Sequence, residues 1–240
     1  MSTTQGGTQS GPQRGPAHPA AAPATLVISS RNYSSWSLRG WLLVRLAGLP
    51  CDVKPVAAND ARARAELLLQ TSSIRIPCLE LDGLKLWDVL AIAEYLNEAY
   101  PQAQMMPADP LARAMCRSIS GEMHAGFNAL RASLPVNLRA HRANFPIWSG
   151  VRADIDRVTD IWRECLAQWG GPYLFGARLS VADCMFAPVC TRFVTYDVKL
   201  DGVCDAYKHA ILATPDMRAW TADALREPDE VSELEVEVEF

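Results

Sequence analysis

Asp82-Gly83 stands between two short runs, Ile76-Pro77-Cys78-Leu79-Glu80-Leu81 and Leu84-Lys85-Leu86-Trp87, in which apolar and polar side chains largely alternate. An Asp-Gly pair suits a two-residue turn whose positions both need positive φ, so the stretch predicts a tight β-hairpin. What surrounds it narrows the fold further. Ala24-Thr25-Leu26-Val27-Ile28 is a short apolar run with the character of a buried strand. Over 37–47, Leu38, Trp41, Leu42, Arg45 and Leu46 recur at helical spacing, and Gly48 sits where a left-handed C-cap belongs. A second strand is expected near Asp52–Val56, then a helix over 60–70. After the hairpin, Asp88 starts a helix that runs to about Ala99 and stops at Tyr100-Pro101. The order is βαβα followed by ββα.

From about 108 onward only helical periods remain. Met115, Ile119, Met123 and Phe127 recur every four residues, and Val151, Ile155, Val158, Ile161, Trp162, Cys165, Leu166 and Trp169 form a second apolar face. Trp162 and Trp169 are read as core. Ser180-Val181-Ala182-Asp183 opens another helix with a hydroxyl at the cap and an acid three residues on. One or two further helices end by about Arg226. The pattern predicts an α+β N-terminal domain over 25–101 joined to an all-α domain over 108–226.

The ends differ from this body. Residues 1–24 are rich in Gly and Pro and poor in large apolar side chains, which predicts a disordered tail and no secretory signal. Residues 227–240 carry seven acids and no base, so taking their −7 from the chain's net −4 leaves the rest at +3. Their alternation over 234–240 is like that of a solvated edge strand, and the segment reads as a solvated tail, or else as a docked strand or a partner peptide. The acidic balance gives no footprint for nucleic acid. No run is long and apolar enough for a membrane span. Seven Cys with no Cys-x-x-Cys, and four His without ligand spacing, argue against a disulfide framework or a metal site and for a reducing, cytoplasmic setting.

With Asn32-Tyr33-Ser34-Ser35-Trp36-Ser37-Leu38-Arg39 after the first strand, this order resembles the glutathione S-transferase superfamily over roughly residues 25–226. Ile76-Pro77 matches the family's cis-proline at its third strand. Asp88-Val89-Leu90-Ala91-Ile92 resembles its acid-Ser-x-Ala-Ile motif, and Leu179–Asp183 its core-helix capping box. The Ser-Ser-x-Ser-x-Arg stretch is closest to serine-type members such as the zeta class, which includes maleylacetoacetate isomerases. The resemblance implies a thioredoxin-like N-terminal domain, an all-helical C-terminal domain, glutathione as co-substrate without a metal, and a homodimer.

It also implies a site. A thiol such as that of glutathione has a pKa of ~8.5 and is mostly protonated at pH 7. A helix N-terminus favours an anion, and a hydroxyl there adds a charge-assisted hydrogen bond. Ser34 is the expected thiolate stabiliser, with Ser35 assisting and Tyr33 as the rival hydroxyl. Ile76 before Pro77 would offer its backbone to the cysteinyl unit, while Asp88 would pair with the γ-glutamyl ammonium. Val89 keeps a backbone N–H but lacks the hydroxyl usual at that position, a loss worth about 1.5–3 kcal/mol toward a charged ligand. The preceding Ser73-Ile74-Arg75 lacks the family's Pro and Gly, and Arg75 is the candidate to meet a glutathione carboxylate. Trp36, Met123, His124 and Phe127 are the expected co-substrate wall, with His124 a candidate acid or base. The function implied is thiol activation for attack on, or isomerisation of, a small hydrophobic electrophile. The alternatives are a non-catalytic transferase-like binding or regulatory module and a carrier of hydrophobic ligands.

Overall fold

The computed structural model describes residues 24–56 and 76–227. The expected helix over 60–70, Arg75 and nearly all of both tails lie outside them. Strand β1 (Ala24–Ile28) runs beside β2 (Cys51–Pro55) in parallel and beside β3 (Cys78–Leu81) antiparallel; β3 then pairs with β4 (Leu84–Trp87). The sheet order is β2-β1-β3-β4. Leu26 and Ile28 are fully buried because β1 is central and covered on both faces. Asp82 (φ 50°) and Gly83 (φ 79°) both take the left-handed conformation that the two-residue hairpin demands. Ala24, assigned by its sequence context to both a tail and a strand, is the first residue of β1 and is buried.

Helix α1 (Ser35–Ala47) follows β1. It ends in Gly48 at φ 68°, with Gly48 N–H donating to Arg45 C=O at 3.0 Å and Leu49 N–H to Val44 C=O at 3.2 Å, a Schellman ending. Helix α2 (Val89–Ala99) is capped by Asp88. A 3₁₀ turn, Pro101–Ala103, leads toward the helical half. There α3 (Pro110–Ala125), α4 (Asn128–Ser133), α5 (Ser149–Trp169), α6 (Val181–Thr195), α7 (Gly202–Leu212) and α8 (Pro215–Ala224) follow. This is the predicted α+β half followed by an all-α half.

The helical core gathers round Trp162, whose ring lies 4.7 Å from Tyr207 and 5.6 Å from Phe193. Helix α6 is buried along almost its whole length. Its first turn is closed by Asp183, which accepts from Ser180 N–H at 2.8 Å, Ser180 O–H at 2.8 Å, Leu174 N–H at 3.1 Å and Tyr207 O–H at 3.1 Å. Burial pushes the Asp183 carboxyl up, and those four donors oppose the push.

One face of α3 differs from its four-residue pattern. Ala112, Cys116, Ile119, Ser120 and Met123 point inward, while Met115 is 40% exposed. Each four-residue step overshoots a 3.6-residue turn by about 40°, so such a series cannot stay on one face. Phe127 lies beyond the helix, at φ 61°.

Candidate active site

The loop Ser29–Ser34 delivers the chain from the sheet to α1, and side chains of that loop and of α1 hold it. Ser29 N–H donates to Ser37 Oγ at 3.1 Å, fastening the first turn of α1 to the end of β1. Ser30 Oγ accepts from Asn32 N–H and Tyr33 N–H, each at 3.1 Å. Asn32 is tied outward: its amide nitrogen donates to Asn137 Oδ1 at 3.2 Å, and its Oδ1 accepts from Arg139 N–H at 3.1 Å.

Ser34 is the N-cap of α1, in extended backbone, and its Oγ accepts from Ser37 N–H at 3.2 Å. It is 5% exposed. A hydroxyl that accepts one hydrogen bond still owns a proton to donate, so capping and donation to an anion are compatible. Ser35 and Trp36 begin the helix, where backbone N–H groups have no intrahelical acceptor. Tyr33, the rival hydroxyl, is half-buried on the preceding loop residue.

Pro77 comes to the same helix through a cis Ile76–Pro77 bond. Gly40 makes this possible: a Cβ there would lie 2.7 Å from both Cβ and Cγ of Pro77. The sequence pattern gives Gly40 no role, and Ser37 only a place in the Ser-Ser-x-Ser-x-Arg stretch. A lone Gly within an otherwise strong helical run is the signal that marks such a close approach.

Asp88 caps α2 through Oδ1, which accepts from Leu90 N–H at 2.8 Å and Ala91 N–H at 3.3 Å. Its backbone stands at φ 73°, ψ 127°, a costly conformation for a residue with a Cβ. Its other oxygen, Oδ2, lies 2.7 Å from His124 Nε2. His124, the candidate acid or base of the expected co-substrate wall, is thus paired with the acid expected to meet an ammonium group. Val89 is 1% exposed and belongs to the core, which is why an apolar side chain fits there.

Trp36 joins these parts. Its ring meets His124 at 5.1 Å edge-on, and the guanidinium carbons of Arg39 and Arg131 lie 4.7 and 4.9 Å from its centroid. Arg39 is almost fully buried and donates from Nε to Met185 C=O of α6 at 2.8 Å. Of the four residues expected in a co-substrate wall, Trp36 and His124 come together; Trp36, Met123 and Phe127 are all buried in the packed core, and His124 alone of the four is half-buried.

The chain's own thiols are unsuited to nucleophilic work. Burial pushes Cys51 and Cys116 up to about 11 and Cys165 and Cys204 up to about 12, and raises Cys78, Cys184 and Cys190 as well. Among the described residues no three His, Cys, Asp or Glu side chains gather as a metal site, and no helix is long and apolar enough to cross a membrane.

Residues 33–99 match the family model of the glutathione S-transferase N-terminal domain, and residues 121–223 match that of its C-terminal domain, together more than two thirds of the chain. Maleylacetoacetate isomerase of Rattus norvegicus is 27% identical over 208 residues, 85% of this chain and 94% of that protein. A Burkholderia glutathione transferase homolog solved with bound glutathione shares the fold at TM-score 0.64 and 20% identity, covering 86% of this chain and all of that one. The maleylacetoacetate isomerase of Anaeromyxobacter dehalogenans, solved with dicarboxyethyl glutathione and citrate, superposes at TM-score 0.59 with 24% identity, covering 86% of this chain and 94% of that one.

Proposed function

The chain belongs to the glutathione S-transferase family through both of its domains, and on that premise we propose that it is a glutathione-dependent transferase or isomerase. The observation that carries the reading is the joint placement of Ser34 at the N-terminus of α1, with Pro77 seated on the same helix at Gly40. Glutathione supplies the sulfur nucleophile. Ser34 donates a hydrogen bond from its hydroxyl to the sulfur, whose own proton leaves to solvent, and the free N–H groups of the first turn add their partial positive charge. Together these would hold the thiol ionised near neutral pH, where a two-unit shift requires about 3 kcal/mol. Ile76, joined to Pro77 by the cis bond, offers its backbone to the cysteinyl unit, and Asp88 takes the γ-glutamyl ammonium. Arg75 and the backbone N–H of Val89 are assigned to the glutathione carboxylates. The partner substrate is a small hydrophobic electrophile placed beside Trp36 and His124, in a sulfur addition or a double-bond isomerisation that positioning and thiol activation suffice to drive.

A cytoplasmic homodimer completes the assignment. The exposed apolar side chains of Leu84, Trp87, Leu111 and Met115 support the dimer. Detoxification is the corresponding role.

The decisive experiment is Ser34→Ala against Ser34→Thr. Alanine is expected to raise the thiol pKa of bound glutathione by about 1–2 units, the equivalent of a lost bond to a charged group, and threonine to restore it. Losing the cap also costs about 0.5–2 kcal/mol of stability, which melting reads separately. Unchanged turnover and an unchanged thiol titration in the alanine variant would remove Ser34 from the reaction. The Asp88–His124 pair favours a second reading, a binding module that has given up catalysis, because the carboxylate already has a partner. Micromolar binding of glutathione by calorimetry supports the enzyme; millimolar or no binding supports the module.

A further inference from the structure

Ser30, Arg31 and Asn32 share one acceptor far away in sequence. Glu227 Oε2 accepts from Ser30 O–H at 2.6 Å and Asn32 N–H at 2.9 Å, and Glu227 Oε1 accepts from Arg31 N–H at 2.8 Å. Counted with a solvated acidic tail, Glu227 instead enters the loop that leads to Ser34. The segment before it is fastened to the same loop. Trp220 Nε1 donates to Arg31 C=O at 3.0 Å, the Arg31 guanidinium lies over the Trp220 ring at 5.5 Å, and Arg31 Nε is 3.7 Å from Asp223 Oδ2. Arg139, whose N–H is held by Asn32, also donates from Nε to Ala224 C=O at 3.1 Å. Two adjacent backbone N–H groups and a hydroxyl converging on one carboxylate form an anion-binding nest that the chain fills with its own C-terminal segment.

We propose that Glu227 is a positioning residue for thiol activation: its carboxylate sets the conformation of Ser30–Asn32, and through it the placement of Ser34 at the start of α1. The link runs through Ser30. Its Oγ donates to Glu227 while accepting from Asn32 and Tyr33, and its C=O accepts from Ser34 N–H at 3.2 Å. Without the carboxylate, the Arg31 and Asn32 amides lose a charged acceptor and the Ser30 hydroxyl becomes free to turn. The loop then samples conformations in which Ser34 no longer faces the sulfur. Because the step acts on thiol ionisation, the proposal rests on the glutathione-dependent reading above.

The test has one readout independent of glutathione and one that needs it. In the full-length protein, Glu227→Ala is expected to speed amide hydrogen exchange at Arg31 and Asn32 by about tenfold, the loss of one charge-assisted bond. It is also expected to raise the pH at which the thiol of bound glutathione ionises by about one unit. Glu237→Ala, which removes the same charge further along the chain, is expected to change neither. Glu227→Gln keeps the size and removes the charge, and covers the case in which the alanine variant does not fold. Unchanged exchange at Arg31 and Asn32 overturns the clamp. Faster exchange with an unchanged thiol titration overturns the positioning role, as does an equal shift in Glu237→Ala. Failure of the wild-type protein to bind glutathione would sink the enzyme reading and the thiol step with it, while the exchange result still decides whether Glu227 holds the loop.

Discussion

Replacing Gly40 by alanine sets two known effects against each other. Ala is favoured over Gly inside a helix by about 0.8–1.0 kcal/mol. Against this stands the added methyl, 2.7 Å from two ring carbons of Pro77 and 3.8 Å from Leu26 Cδ1. The Pro77 ring is bonded back to its own main chain and cannot swing aside as a long side chain would, so α1 and the 76–77 segment have to part. Overpacking of this kind costs about 1–3 kcal/mol, and the rigidity of both partners argues for the upper half of that range. The net expectation is a loss of about 1–2 kcal/mol. For a chain of this size that lowers the melting temperature by roughly 2–8 °C. Gly121 supplies the matched comparison. It sits within α3 with nothing inside 4 Å of an added Cβ, so Gly121→Ala should raise stability by up to about 1 kcal/mol. Urea unfolding of the two variants beside the wild type measures both signs. If Gly40→Ala proves as stable as the parent, the close approach of α1 to Pro77 is wrong. Glutathione binding should weaken in the same variant, because Ile76 moves with Pro77.

Two further changes probe the site and its scaffold. Asp88→Asn keeps a good N-cap for α2 but removes the charge, so melting should barely change while glutathione affinity falls about ten- to a hundredfold by calorimetry; affinity within twofold of the parent would show that Asp88 does not meet the ligand. Asp201 is held down to about 2 by the Cys204 N–H it accepts and by Arg163, against an ordinary 3.8. A depressed folded value means the stabilisation is present above about pH 4 and is lost as pH falls toward 2. Asp201→Asn, which retains the cap without the titration, should therefore show a shallower fall of melting temperature between pH 5 and 2. Equal slopes in the two proteins would contradict the assignment.

The parts that could be read in advance are those whose cause is local. The Asp82-Gly83 turn, the Gly48 ending of α1, the Asp88 cap and the Ser180–Asp183 box each depend on residues within a turn or two of one another. Spacing alone reveals such features. Asp183 reaches the Ser180 N–H despite being one methylene shorter than the usual Glu. What escaped depends on residues brought together by folding. Nothing beside His124 announces Asp88, nothing beside Glu227 announces Ser30, and Gly40 shows its purpose only once Pro77 lies on it. Met115 misled for another reason: four-residue spacing drifts off a helix face, and the drift shows only when the packing partner is known.

The Arg39 bond to Met185 carries a consequence for how the two halves relate. The guanidinium sits in the helix that starts at the reactive loop, yet its acceptor belongs to the innermost helix of the other half. A fragment stopped at residue 101 would keep the sheet's pairing but strand a cation and strip one flank of α1. Such a fragment would keep its strands but lose the packing that holds α1 and the Ser34 cap in place. The second half is thus a structural prerequisite of the first, and the whole is expected to melt in one cooperative step.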